Sequence, residues 1–243
     1  MVGAGNRFLS MKRRKGPCRR LPAPVLIVAS YLLGSTPFTN IAARRLEGVD
    51  LRNVGTGTVS GTSLHQVAGF GPLAVVGCME LAKGAAVPLL ARRRGARLGA
   101  LAAFAAVAGH NWSPFLRLQG GRGVSVALGA CLATAPEGAV VLGAGLGGGR
   151  LARQSGAGCA LAIGALPLVL WKSRGRDGLL LGTSLALPLA AKRLAGNFPP
   201  PRRDMRSYVH RLLFDCDRPA QQRHVAASPT APGGSVGGFR PKS

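Results

Sequence analysis

Two loops in this chain combine residue types suited to holding a phosphate. The first runs Asp50-Leu-Arg-Asn-Val-Gly-Thr-Gly57 and continues Thr58-Val-Ser-Gly-Thr-Ser63. Gly55 and Gly57 permit tight turns with free backbone N–H groups. Thr56, Thr58, Ser60, Thr62 and Ser63 add hydroxyls, and an apolar stretch begins directly afterwards. A Gly/Ser/Thr loop that feeds a helix N-terminus is an anion site on physical grounds. Arg44, Arg45 and Arg52 could add charge-assisted bonds. Taken alone, the same residues read as an ordinary turn with a helix cap. The second loop is Gly109-His-Asn-Trp-Ser-Pro-Phe115 followed by Arg117-Leu-Gln-Gly-Gly-Arg-Gly-Val124. Gly120, Gly121 and Gly123 flank Arg122, so backbone amides could wrap an oxyanion beside a fixed charge. His110 and Asn111 form a polar pair at the helix-to-loop junction, where His can donate or accept a proton near neutral pH. The plainer alternatives are an interfacial histidine bonded to a carbonyl and a loop that touches lipid headgroups. Two such loops in one small chain weigh more than either alone. A third feature is Glu80-Leu-Ala-Lys83-Gly84. Lys83 lies in an apolar stretch, where an ionisable group is costly. A structural pair with Glu80, one helical turn earlier, accounts for it as well as a ligand contact does.

The elements that must position these loops are membrane-type helices. The chain has 243 residues, 47% hydrophobic and only 16% charged, with a formal net charge of +24. In a soluble protein that charge would point to nucleic acid. The mean hydropathy of +0.22 argues against that, as do apolar stretches close to the ~20 residues of one helical span. The composition excludes a disordered basic polypeptide and fits an all-α, polytopic membrane bundle with basic loops. The 36 Gly and 17 Pro would weaken soluble helices, but small residues let membrane helices approach closely. The five cysteines form no CxxC or Cys/His ligand spacing, so neither a metal site nor a disulfide framework is indicated.

Six hydrophobic segments stand out: Leu21–Ala43, Leu64–Ala91, Leu98–Trp112, Val124–Gly149, Ala157–Trp171 and Leu179–Ala191. The two longer ones have room for a break, so six to seven spans are expected. Residues 1–20 carry seven Lys/Arg and no acid, a basic N-terminal extension. Residues 214–243 are rich in Pro, Gly, Ser and Ala, a composition expected to be disordered. Lys and Arg favour the connections at 1–20, 92–97 and 150–153 over those that hold the two loops. By the positive-inside rule the two loops would then face outwards.

The motifs Tyr31-Leu-Leu-Gly-Ser-Thr-Pro-Phe38, Asp50…Gly55-Thr-Gly57…Thr62, Glu80…Lys83-Gly84 and Gly109-His…Pro114-Phe…Gly120-Gly-Arg-Gly-Val124 follow one another at familiar spacing. In this order they resemble the bacterial acyl-phosphate:glycerol-3-phosphate acyltransferase family, PlsY, over roughly residues 21–213. The resemblance implies a bundle of about seven helices in the bacterial inner membrane. It implies transfer of a fatty acyl group from acyl phosphate to the 1-hydroxyl of glycerol 3-phosphate, giving lysophosphatidic acid for phospholipid synthesis. It implies no cofactor and no metal, substrates in the cytosol, membrane lipids as surroundings, and coupling to an enzyme that forms acyl phosphate. Nucleic acid is not an implied partner. Ser35, Arg45, His110 and Arg122 are its catalytic candidates. Gly55, Gly57, Thr62, Lys83, Asn111, Gly120, Gly121, Gly123 and Arg206 are its candidates for holding substrate. Arg122 stands where the family usually has Lys, Gln119 replaces another Lys, and Thr58 and Ser63 stand for Asn. Met205-Arg-Ser-Tyr-Val209 stands where the family has a His-Arg-x-Asn-Ile pattern near its C-terminus, with the His and Asn replaced. These replacements leave open a degenerate relative that binds phosphate or anionic lipid without turnover. The Gly/Pro-interrupted spans leave a small transporter as a further alternative. Acyl phosphate is already an activated anhydride, so proximity and electrostatic stabilisation suffice and no protein nucleophile is required.

Overall fold

A computed structural model describes residues 21–55, 57–199 and 204–214. The basic extension at 1–20, Thr56 of the first loop and the tail from 215 onward lie outside the described residues. The described residues are helical throughout, with no strand.

Proline and glycine set the helix ends. Helix α1 covers Ala23–Ser35 and ends because Pro37 pushes Thr36 into an extended conformation. Helix α2, Phe38–Glu47, follows at once and closes on Gly48 in the left-handed region, whose N–H reaches the Ala43 and Arg44 carbonyls. The segment 21–43 is therefore a broken stretch, since Pro37 has no N–H to continue the ladder. Helix α3, Gly61–Ala68, is capped by the Ser60 side chain on the Ser63 N–H. Gly69, at φ 79°, separates α3 from α4, Phe70–Arg92. Helix α5 is Ala96–Asn111, and the second glycine loop separates it from α6, Val124–Thr134. The expected stretch 124–149 does break, at Ala135 ahead of Pro136, which opens α7, Pro136–Leu151. The next element, α8, covers Ser155–Ala195, but Gly175 within it has the non-helical conformation φ 60° and ψ −139°. A side chain on Gly182 would meet the backbone of Leu166 and Pro167, and one on Gly178 the Leu170 carbonyl. A straight helix would hold Gly182 and Pro167 more than 20 Å apart by its ~1.5 Å rise. Element α8 is thus a hairpin of two antiparallel helices turning at Gly175. The short helix α9 is Met205–Phe214.

Glycine seams hold the bundle together. A Cβ on Gly34 would collide with the Ala106 carbonyl, and one on Gly109 with the Tyr31 carbonyl, so α1 and α5 run parallel in backbone contact, with both C-terminal ends at the same side of the bundle. The same pattern joins α4 to α6, where Gly84 meets Val126 and Gly129 meets Leu81. Between lipid-surrounded helices such close approach, rather than hydrophobic burial, drives association. The main core joins Val107, Val126, Leu166, Leu170, Leu185 and Leu189, from α5, α6 and both arms of α8. Large apolar side chains such as Phe70, Val75, Val140 and Leu161 point outward. Among the described residues three helical stretches are long and apolar enough to cross a membrane, at 23–47, 70–92 and 155–195, the last of them folded into two arms at Gly175.

Candidate active site

The C-terminal ends of α1, α5 and the second arm of α8 meet the N-terminal end of α6, and both glycine loops lie there. Tyr31 Oη donates to the Trp112 carbonyl at 2.9 Å, and Ser113 Oγ donates to the Ser35 carbonyl at 2.6 Å. These bonds fix the end of α1 against the start of the second loop. Ser35 is buried, and its Oγ donates back to the Tyr31 carbonyl at 2.7 Å.

In the first loop, Gly55 and Gly57 both take positive φ, 53° and 72°. Gly57 N–H closes a turn on the Val54 carbonyl at 2.9 Å. Asn40 of α2 accepts from the Leu51 N–H at 2.9 Å and ties the loop to the bundle. Asp50 takes up two of the three candidate arginines: Arg52 lies 2.7 Å from it, and Arg44 pairs with the same oxygen. Hydrogen bonds from Arg52 hold the Asp50 carboxyl well below the usual carboxylate range, against a smaller opposing effect of burial, and the Arg44 bond adds to the lowering. Arg45 is exposed on α2, and Thr62 is exposed in the first turn of α3. Ser63, beside Thr62, is buried and donates to the Thr58 carbonyl at 3.0 Å.

The second loop folds back on α5. Gly121 N–H bonds to the His110 carbonyl at 3.2 Å. A side chain at Gly120 would strike that same carbonyl, and one at Gly121 would strike His110 Nε2. Gly123, at φ 73°, lies against Asn111 Oδ1, Val107 and Leu189. Asn111 is buried and its Nδ2 donates to the Pro188 carbonyl at 2.7 Å, which joins α5 to the second arm of α8. Arg122 is buried and its Nη1 donates to the Lys192 carbonyl at 3.2 Å. Lys192 is itself buried, with Nζ 3.2 Å from the Leu118 carbonyl and 5.4 Å from the Trp112 ring centre.

Behind His110 lies a buried polar cluster. Glu80 Oε2 is 3.2 Å from His110 Nδ1 and 2.8 Å from Lys83 Nζ, and Glu80 Oε1 accepts from Thr39 Oγ1 at 3.1 Å. Lys83 also donates to the Thr36 carbonyl at 2.7 Å. The pairing of Glu80 with Lys83 is therefore present, and it extends to the histidine. A carboxylate at Nδ1 places the proton there and leaves Nε2, on the Gly121 side, as an acceptor. Glu80 thus fixes the orientation of the imidazole from its Nδ1 side.

The structure brings together Ser35, Gly55, Gly57, Lys83, His110, Asn111, Gly120, Gly121, Arg122 and Gly123. Arg45 and Thr62 stand at its exposed side. Arg206 is exposed on α9, whereas the neighbouring Arg211 is buried. Two members were not among the sequence candidates. Lys192 follows an apolar run and carried the signal of a buried cation. Asn197, after the α8 end at Gly196, looked like any turn residue. Asn197 Nδ2 donates to the Gly57 carbonyl and to the Gly120 carbonyl, each at 3.1 Å, and so joins the two loops. Among the described residues no group of three His, Cys, Asp or Glu is placed to hold a metal ion.

The loops, buried cations and poised histidine can hold phosphoryl oxygens and receive a proton. Comparison with known proteins agrees with that chemistry. The family described as Glycerol-3-phosphate acyltransferase matches residues 24–197. A glycerol-3-phosphate acyltransferase of Rubrobacter xylanophilus is 43% identical over 114 residues, 46% of this chain and 57% of the relative. The match thus spans little more than half of that relative's length. One from Synechococcus sp. (strain CC9902) is 36% identical over 158 residues, 64% of this chain and 79% of the relative. The crystal structure of PlsY, an integral membrane glycerol 3-phosphate acyltransferase, in its glycerol 3-phosphate form superposes with a TM-score of 0.64. It shares 28% identity, over 70% of this chain and 88% of that one. A second PlsY structure, the lysophosphatidic acid form, gives a TM-score of 0.63 at 26% identity, over 70% and 87% of the two chains. Helix α9, with Met205–Val209 and Arg206, lies beyond the family match, which ends at Asn197. Matched over most of its length, and carrying the family's two glycine loops at one end of a membrane-type bundle, the chain belongs to the glycerol-3-phosphate acyltransferase family.

Proposed function

We propose that this protein transfers a fatty acyl group from acyl phosphate to the 1-hydroxyl of glycerol 3-phosphate. The observation that carries the reading is the juxtaposition of two glycine loops, joined through Asn197, with buried Arg122 and with His110 facing Gly121. The hydroxyl oxygen attacks the acyl carbonyl carbon, the new ester C–O bond forms, and the bond from carbon to the phosphate oxygen breaks. Inorganic phosphate leaves. The hydroxyl proton passes to that phosphate or to His110 Nε2. Arg122 and the loop amides offset repulsion between the two phosphates, and their placement supplies proximity and electrostatic stabilisation. Ser35, Gly55, Gly57, Lys83, Asn111, Gly120, Gly121 and Gly123 shape this site, with Arg45 and Thr62 at its open side.

The same reading places the protein in the bacterial inner membrane as a multi-pass bundle, with the loops towards the cytosol where both water-soluble phosphate groups reside. An enzyme that forms acyl phosphate would supply it. Arg45→Cys and Arg94→Cys, labelled from either side of sealed vesicles, should react from opposite faces. Reaction from the same face would reverse that topology.

Purified protein in detergent is expected to convert acyl phosphate and glycerol 3-phosphate into lysophosphatidic acid. Arg122→Ala should lower kcat/KM by about a hundredfold, as loss of one charge-stabilising donor does. Robust turnover in both Arg45→Ala and Arg122→Ala would remove these residues from the mechanism. The commitment of Ser63 Oγ to the Thr58 carbonyl, where the family has amide side chains, favours a second reading, a relative that binds phosphate or anionic lipid without turnover. Growth rescue of a strain without its own glycerol-3-phosphate acyltransferase would exclude it.

A further inference from the structure

We infer that α9, which lies outside the family match, works as a clamp on the site: Arg211 holds the turn that carries Asn197, and Asn197 holds the two glycine loops in register. This deepens the proposed function and rests on it for its effect on turnover.

The chain of contacts is continuous. Arg211 is buried, with Nη1 donating to the Ala195 carbonyl at 3.0 Å and Nη2 to the Phe198 carbonyl at 2.8 Å. Its guanidinium therefore brackets Gly196 and Asn197 from both sides. Gly196 ends α8 at φ 65° and ψ −173°, a conformation open to glycine, and sends the chain away from the helix axis. The turn has no helical ladder of its own, so its shape depends on such external bonds. A guanidinium can donate to two carbonyls in a fixed fork, which an ammonium cannot copy. Asn197 then spends one amide N–H on Gly57 and the other on Gly120. These carbonyls belong to loops 63 residues apart in sequence, and the amide sets their spacing.

Helix α9 is itself fastened at its far end. Arg193, buried in the last turn of α8, donates through Nη1 to the Leu212 carbonyl and to the Gly156 carbonyl, each at 2.9 Å. A side chain at Gly156 would strike the Leu213 carbonyl, so the backbones of α8 and α9 touch there. Arg193 runs from α8 to α9 and Arg211 from α9 back to the α8 end. The two reciprocal arginines make α9 a brace, and the brace ends on the residue that spans the loops.

The test uses the full chain in detergent. Amide hydrogen exchange is compared for wild type, Arg211→Ala, Arg211→Lys and Asn197→Asp, an isosteric change that removes both donors. Faster exchange confined to residues 57–60 and 119–123 in Arg211→Ala and Asn197→Asp, with α1 unchanged, supports the clamp. Unchanged exchange in both loops overturns it. For turnover, Asn197→Asp should raise KM for glycerol 3-phosphate about five- to tenfold, the equivalent of one or two weakened hydrogen bonds. The double variant Asn197→Asp/Arg211→Ala should match Asn197→Asp alone, because Arg211 acts through Asn197. Additive effects overturn the inference, as does a loss of kcat with KM unchanged, the mark of a structural role. Arg211→Lys guards against misfolding of the alanine variant: it should keep the fold and give loop exchange between those of wild type and Arg211→Ala, and wild-type exchange in it would again overturn the clamp. A wild-type protein without turnover, but with the exchange coupling present, would sink the proposed function and not the clamp.

Discussion

Gly121→Ala is the sharpest probe of the contact between loop and histidine. A methyl built on Gly121 would overlap His110 Nε2 and stand 2.5 Å from the Val59 carbonyl oxygen and 3.1 Å from His110 Cδ2. Non-bonded carbons rest at about 3.5 Å or more, so ring or loop must shift by about 1 Å. The ring has little room to retreat. Its Nδ1 lies 3.2 Å from Glu80, which lies 2.8 Å from Lys83. The loop has little more, because its Gly121 N–H is bonded to the His110 carbonyl and Gly120 is packed on that carbonyl. A misplacement of about 1 Å at a reacting group costs on the order of a hundredfold in rate. Overpacking of this kind costs folding about 1–3 kcal/mol. The assay is kcat/KM in detergent with a thermal midpoint on the same preparation. Gly77→Ala serves as the control, since nothing lies within 4 Å of a Cβ there. That helical position should be neutral, or gain up to ~1 kcal/mol. If Gly121→Ala retained kcat/KM within about threefold of wild type while folded, under ~1 kcal/mol of barrier change, the histidine would not act through this contact.

Glu80→Ala removes the carboxylate from a buried Lys83 and should destabilise the protein by about 3–5 kcal/mol. Glu80→Gln/Lys83→Met should recover much of that stability, read by thermal unfolding, yet leave activity low because His110 loses its orienting partner. Asp50, its folded pKa depressed chiefly by Arg52, contributes stability that is complete above the ordinary Asp value of about 3.9 and disappears only as pH falls towards the lower folded value. The thermal midpoint difference between wild type and Asp50→Asn should therefore stay constant from neutral pH down to about 4 and shrink only below it. Gly175→Ala places a side chain at φ 60° and ψ −139°. It should cost about 1–3 kcal/mol from backbone conformation alone, seen as a lowered midpoint with unchanged KM.

Much of this architecture was legible in single residues. The apolar runs declared a helical membrane-type bundle, and the two glycine loops expected to act together do meet. The break at Ala135 was expected from the length of 124–149, and Pro136 supplies its cause. The turn at Gly175 falls in the polar interval between the separate segments expected at 157–171 and 179–191. Other features were hidden for physical reasons. The charge pattern of the first loop suggested three arginines open to a phosphate, yet Asp50, only five residues beyond Arg45, takes up Arg44 and Arg52. Pairing in three dimensions decides which cations remain available, and sequence spacing does not report it. Asn197 was illegible altogether. Its partners, Gly57 and Gly120, are backbone carbonyls, and a carbonyl leaves no trace in residue type. Arg206 was the residue of α9 expected to hold substrate, but the helix rotation exposes it and buries Arg211 instead.

The glycine seams also decide how this chain can change over time. At Gly34, Gly84, Gly109 and Gly129 the nearest facing atom is a backbone carbonyl oxygen. Every amino acid carries that carbonyl, so no change of residue type across the seam can make room for a methyl. A lipid-facing leucine can drift to valine or phenylalanine and back, exchanging one apolar surface for another. A seam glycine has no smaller substitute and no partner able to shrink in response. Damage there can be undone by reversion or by moving whole helices, but not by a second substitution opposite. A suppressor screen started from Gly84→Ala should therefore return true revertants, and the seams would be the slowest-changing parts of a molecule whose outer surface changes freely.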